Sequence, residues 1–144
     1  MEHTLLENIQ VVIIDDSKIA LSVMQSILTK YNCHVKTFLD PLEALAYLKE
    51  SKTIIPDVII TDYGMPEMTG VEFIGEIKKC SHLVNVPTLI LTGHNISEIY
   101  MSAINAGADA FASKSSIQEV IVAQLLALLR TSNLKKTQDT NHMI

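Results

Sequence analysis

Short β-branched runs alternate with longer apolar stretches of helical period along this chain, and that alternation restricts the fold more tightly than any single motif. The runs lie at Ile9 to Asp15, His34 to Phe38, Val58 to Asp62, Val86 to Leu91 and Ala110 to Ser113. Continuous apolar strands of this kind belong to a parallel sheet covered by helices on both faces. Each run is followed by a helix candidate. Between Ser17 and Lys30, the residues Ile19, Ala20, Val23, Met24, Ile27 and Leu28 recur at the spacing of one buried stripe. Asp40 is placed to cap a second helix with Pro41 in its first position, and Leu42, Leu45, Ala46 and Leu48 form its apolar set. The third helix is expected from Thr69 to Lys79, and the fourth from Ser97 to Ala106 with Gly107 as its left-handed cap. The fifth runs from Ser116 to Arg130, opening on a capping box between Ser116 and Glu119. With 144 residues, 48% of them hydrophobic, the chain is sized for one α/β domain with a substantial core. Residues 1–8 read as an extension ahead of that domain, and the polar, aperiodic string 131–144 as a disordered tail.

The chemistry is carried at the strand ends. An open parallel sheet gathers functional groups just beyond the carboxyl ends of its strands. Here those ends are Asp15 and Asp16, Asp62, Thr92 and Lys114. Crowded carboxylates repel one another and raise some of their pKa values, so the aspartates imply a cation. Mg²⁺ takes oxygen ligands in near-octahedral array and keeps waters and phosphate oxygens among them. Asp15, Asp16 and Asp62 are its candidate ligands, with a backbone carbonyl just after Asp62 as a further one. A carboxylate can also attack phosphorus to give an aspartyl phosphate. Transfer of a phosphoryl group needs charge stabilisation more than acid–base work, and the Lys114 ammonium and Thr92 hydroxyl could supply it. Taken singly, each residue has a plainer reading. The Asp15–Asp16 pair could cap a helix, Asp62 could form a turn, Thr92 could cap a loop, Lys114 could be solvated and Phe111 could be core. Their coincidence at four of the five strand ends favours a site.

Composition narrows the function classes. A net charge of −5 and a pI near 5.4 supply no basic field for direct nucleic-acid binding. No apolar run reaches the ~18 residues a membrane span requires, and MEHTLLEN has no signal core, so a cytoplasmic protein without membrane insertion is expected. Cys33 and Cys80 suit reduced thiols rather than a disulfide scaffold. His3, His34, His82 and His142 show no zinc spacing, and His94 follows Thr92 closely enough to lie near the cleft.

With these residues in this order, the chain resembles the receiver domains of the two-component response regulators, a family that includes the single-domain chemotaxis regulators. The resemblance covers about Asn8 to Arg130, a receiver domain at 9–130. It implies a doubly wound, flavodoxin-like α/β fold whose five parallel strands lie in the order 2-1-3-4-5 with five helices. It also implies that Asp15 and Asp16 hold Mg²⁺ and that Asp62, in IITDYGMPEMTG, is the phosphoacceptor. Thr92, in LILTGH, matches the hydroxyl that moves onto the phosphoryl group, Lys114 the lysine that pairs with it, and Phe111 the aromatic switch position. Met65, Pro66 and Gly70 fit the loop after the acceptor. Three positions bear on the match. Ser115 follows Lys114 where the family usually has proline, often after a cis bond, which a Ser peptide would adopt only at a cost of ~3 kcal/mol. Gly64 offers a carbonyl but no side chain over the phosphate, and Gly93 after Thr92 is small, as access to the acceptor requires.

The resemblance implies a signalling module rather than an enzyme: Asp62 takes a phosphoryl group from a phosphohistidine of a sensor histidine kinase or histidine phosphotransfer protein, and output follows by binding a protein target. A stand-alone relay and a piece of a larger regulator are both compatible with the chain. Two alternatives are a degenerate receiver binding partners without phosphorylation and an aspartyl-phosphate phosphatase of the haloacid dehalogenase type. The latter needs an acid two residues after its nucleophile, where Gly64 follows Asp62 and Ser17 follows Asp15. The fifth helix adds an expectation of its own. Ile117, Val120, Ile121, Leu125 and Leu128 cover one side, and Val122, Leu126 and Leu129 carry the apolar arc past half the circumference. One sheet cannot bury all of it, so Val122, Leu126 and Leu129 are expected to form an exposed patch for a partner or a homodimer.

Overall fold

The computed structural model describes residues 6–50, 52, 54–93, 96–116 and 118–142. Five strands, β1 (Gln10–Ile14), β2 (His34–Phe38), β3 (Val58–Thr61), β4 (Thr88–Thr92) and β5 (Ala110–Ser113), alternate with five helices. The helices are α1 (Lys18–Thr29), α2 (Pro41–Lys49), α3 (Gly70–Lys78), α4 (Ile96–Ala106) and α5 (Gln118–His142). All strand pairs are parallel and the order is β2-β1-β3-β4-β5. The three central strands are buried almost throughout, whereas edge strand β2 is half exposed, which is why VVII, VIIT and TLILT read as apolar runs and HVKTF does not.

Successive side chains of one strand enter opposite layers. Val11 and Ile13, with Val58, Ile60, Leu89, Leu91 and Ala112, pack under α1 and α5. Val12 and Ile14, with Ile59, pack under α2 and α3, and Ile90 packs with Ile74 of α3 and Ile99 and Ala103 of α4. The helix starts are built locally. Ser17 Oγ accepts from Ala20 N–H, Asp40 accepts from Leu42 N–H ahead of Pro41, and Thr69 and Glu72 form a reciprocal capping box. Gly107, at φ +105°, ends α4 as expected. The capping box expected between Ser116 and Glu119 spans Ile117, which lies outside the described residues, as does His94.

Three expectations change. Val122 and Leu129 are only 5% and 8% exposed and Leu126 is half-buried, so the patch expected on the last helix is part of the core. The reason is that α5 packs against two partners, the sheet and the Leu21, Met24, Ile27 and Leu28 stripe of α1, and two contacts bury a wider arc than one. The packed domain also begins earlier than Ile9. Leu6 is 1% exposed in the same cluster, and its carbonyl accepts from Ile9 N–H and Cys33 Sγ. Finally, the backbone stays helical through His142, where a disordered tail from 131 was expected. Adding residues to a helix already nucleated by packing needs only weak propensity, so polar sequence does not end it. No peptide bond among the described residues is cis, so Ser115 follows Lys114 through a trans bond.

Candidate functional site

The strand order reverses between β1 and β3, and the crevice beyond the carboxyl ends of an open α/β sheet opens at such a point. Register places Ile14 beside Thr61, Thr61 beside Ile90, and Thr92 beside Ser113. The residues that follow, Asp15, Asp62 and Lys114, therefore leave the sheet on one side together. Backbone bonds hold each in place. Asp15 N–H donates to the Phe38 carbonyl, Asp62 N–H to Ile14 and Lys114 N–H to Thr92, at 3.1, 2.8 and 2.9 Å.

Asp15, Asp16 and Asp62 each bring a carboxylate oxygen into a group whose members lie within 4.8 Å of one another. Asp15 and Asp62 are buried and Asp16 is exposed. Lys114 Nζ reaches between the two buried carboxylates, 2.8 Å from Asp15 Oδ2 and 3.3 Å from Asp62 Oδ1. Asp15 Oδ1 accepts from Ser17 N–H at 3.0 Å, and Asp62 Oδ1 accepts from Tyr63 N–H at 2.9 Å. Burial raises the Asp62 pKa above the ordinary aspartate value and the Asp15 charge adds to the rise, while Lys114 and the Tyr63 N–H oppose it. Burial works against the Lys114 ammonium, but its contacts with Asp15 and Asp62 outweigh it and hold its pKa above the ordinary lysine value. One ammonium thus leaves the carboxylates short of neutralisation. An all-oxygen donor set with residual negative charge fits a hard divalent cation such as Mg²⁺.

Thr92 ends β4 fully buried. Gly93 is exposed, with open space where a Cβ would stand. Gly64 lies in the loop after Asp62, half-buried. Phe111 is half-buried on β5, its ring stacked on Tyr100 of α4 with centroids 5.3 Å apart. The acceptor loop returns tightly: Gly70 N–H donates to the Tyr63 carbonyl at 2.7 Å, and a Cβ on Gly70 would lie 2.2 Å from the Asp62 carbonyl oxygen, so only glycine fits. The structure therefore brings Asp15, Asp16, Asp62 and Lys114 together at one strand-end cleft, sets Thr92 and Phe111 on the adjoining strands, and leaves Val122, Leu126 and Leu129 in the α1/α5 layer. Ser17, Thr61 and Tyr63 also brace the site, Thr61 by donating its hydroxyl to the Asp62 carbonyl at 2.9 Å. Two of these three act through backbone N–H groups, which have no sequence signature.

Comparison with known proteins agrees with this architecture. A family model described as the response regulator receiver domain matches residues 11–126. The chain is 36% identical over 117 residues to the two-component response regulator ARR17 of Arabidopsis thaliana, covering 75% of this chain and 76% of that one. It is 31% identical over 104 residues to the two-component response regulator ORR13 of Oryza sativa subsp. japonica, covering 72% of this chain and 84% of that one. Among solved structures, the chemotaxis protein CheY4 of Vibrio cholerae superposes with a TM-score of 0.77 at 29% identity, covering 84% of this chain and 98% of that one.

Proposed function

The chain belongs to the response regulator receiver family, and from that membership we propose that Asp62 is its phosphoacceptor, charged by a sensor histidine kinase or a histidine phosphotransfer protein. The observation that carries this reading is the Lys114 ammonium set between Asp15 and Asp62 beside a third carboxylate. In this reading a carboxylate oxygen of Asp62 is the nucleophile, the carboxylate being held in place by the Tyr63 N–H and the Lys114 ammonium on Oδ1. Its bond to phosphorus forms as the phosphorus–nitrogen bond of the phosphohistidine breaks, and the departing imidazole keeps the electron pair and takes a proton from solvent. Lys114 then pairs with a phosphoryl oxygen, and the Thr92 hydroxyl approaches another. Asp15, Asp16 and Asp62, which bring their carboxylates together, would hold Mg²⁺ with the Gly64 carbonyl as a further ligand, and the ion would supply charge stabilisation to the transferring group.

Inward movement of Thr92 makes room for Phe111, so the phosphoryl state is read at β5 and α4. There Tyr100, Met101 and Ile104 present exposed apolar surface to a protein target. Among the described residues no helix is long and apolar enough to cross a membrane.

Incubation with Mg²⁺ and acetyl phosphate, followed by intact-mass spectrometry, tests the acceptor. One labile phosphoryl adduct is expected on the wild type and none on Asp62→Asn. An adduct that persists in Asp62→Asn, or a wild type that stays unmodified, overturns the assignment.

A further inference from the structure

Lys114 is the first residue beyond β5, and the residues on either side of it touch each other. Ser113 Oγ and Ser115 Oγ are 2.7 Å apart, and Ser115 N–H donates to Ser113 Oγ at 3.1 Å. Ser116 N–H donates to the Ser113 carbonyl at 3.0 Å, closing the same turn from its far side. Ser113 Oγ therefore takes part in two contacts: it accepts a backbone N–H and shares a single hydroxyl hydrogen with Ser115. Lys114 stands at the centre of this closed turn, its own N–H on the Thr92 carbonyl and its ammonium 2.8 Å from Asp15 and 3.3 Å from Asp62.

A lysine stem has four carbons and much rotamer freedom to lose on entering a cleft. Its destination is set first by the direction of its Cα–Cβ bond, which the backbone turn dictates. A polar side chain that bonds to the backbone two residues on mimics a backbone turn and holds it. Among the described residues neither serine has a hydrogen bond with Asp15, Asp16 or Asp62, so their effect on the site passes through Lys114. We propose that Ser113 is a positioning residue: with Ser115 it forms a hydroxyl clasp that fixes the turn at Lys114 and aims its ammonium between the two buried carboxylates. This rests on the reading of Asp62 as acceptor and of Lys114 as the cation that stabilises the transferring group.

The test measures the rate of phosphorylation by acetyl phosphate as a function of donor and Mg²⁺ concentrations. Ser113→Ala loses both clasp contacts and is expected to lower the maximal rate about tenfold, the size that follows from losing the hydrogen bonds that order an active group. The half-saturating donor concentration stays at its wild-type value, whereas calorimetric Mg²⁺ affinity is expected to rise toward that of Lys114→Ala, because a misplaced ammonium leaves the Asp15 and Asp62 charges less neutralised. Ser115→Ala keeps the backbone contact on Ser113 Oγ and loses less, and Ser113→Thr, which keeps the oxygen, restores the rate. In a Lys114→Ala background, Ser113→Ala has no further effect. Additive losses in that double variant, or a Ser113→Ala rate equal to wild type while Lys114→Ala is slow, overturn the clasp and leave the acceptor assignment standing. A wild type that takes no phosphoryl group on Asp62 removes the acceptor reading itself, and the clasp with it. Circular dichroism melting of each variant separates a misfolded chain from a misplaced ammonium; should Ser113→Ala unfold, Ser115→Ala and Ser113→Thr carry the comparison.

Discussion

As the proposed nucleophile, the Asp62 carboxyl would combine two requirements that oppose each other, since a nucleophile must be ionised and burial beside Asp15 disfavours the ionised form. Its raised pKa has a definite consequence for stability. The folded chain holds the Asp62 proton more tightly than the unfolded chain, so ionisation of this residue works against the fold. That cost is absent below the ordinary aspartate pKa of 3.8, grows as pH rises through the folded value, and is fully present above it. Asp62→Asn removes the charge and keeps an oxygen for Lys114 and the Tyr63 N–H. Without Mg²⁺, it is expected to be more stable than wild type at neutral pH by on the order of 1 kcal/mol, with the difference vanishing as pH falls to about 4. Urea titrations at the two pH values measure it. Mg²⁺ should stabilise wild type more than the Asn variant, which keeps Asp15 and Asp16 but lacks the third carboxylate.

At the scale of elements, α5 differs most from its sequence reading. Its apolar arc is wide because the helix lies in the angle between the sheet and α1, with Val122, Leu125 and Leu129 in the same cluster as Leu21, Met24 and Leu28. Leu129 is 8% exposed. Leu129→Ala is accordingly expected to cost about 2–4 kcal/mol in chemical denaturation through loss of packing and the cavity left behind. The charged pair Leu126→Glu/Leu129→Glu should unfold the domain or reduce it to a loosely packed state. A double variant that is fully folded and merely altered in self-association would instead return these residues to the surface. Gln124 fits the same picture, since its amide donates to the Phe111 carbonyl at 2.9 Å and so ties α5 to β5 from within the buried side.

Across the whole molecule, the proposed phosphorylation is a local change of charge that two strands would join to a distant surface. About −1.5 to −2 charges added at Asp62 favour the Lys114 and Thr92 contacts. Thr92 pairs with Ser113 in the β4/β5 register, and Phe111 lies two residues before it against Tyr100. A beryllofluoride mimic with Mg²⁺ is expected to shift the NMR signals of Thr92, Phe111 and Tyr100, with the Phe111 and Tyr100 responses lost in Thr92→Ala. Ring environments that stay constant at saturation would sever the site from the α4 face.

The sequence by itself determined the sheet and which polar residues stand at its strand ends. Central parallel strands are buried on both faces, so they must be written as apolar runs, and a parallel sheet sends all its strand ends to one side. The placement of Asp15, Asp62, Thr92 and Lys114 together was legible for that reason, each standing where a run stops, while their roles came from the resemblance to receiver domains. Tertiary structure decided what depends on neighbours. Whether Val122 and Leu129 face solvent or α1 is not encoded in the period of one helix, because a hydrophobic stripe states its width but not what covers it. The burial of Leu6 has the same origin. The bracing of Asp15 and Asp62 by the N–H groups of Ser17 and Tyr63, and the clasp of Ser113 on Ser115, depend on backbone direction, and every residue type but proline carries the N–H that such contacts use.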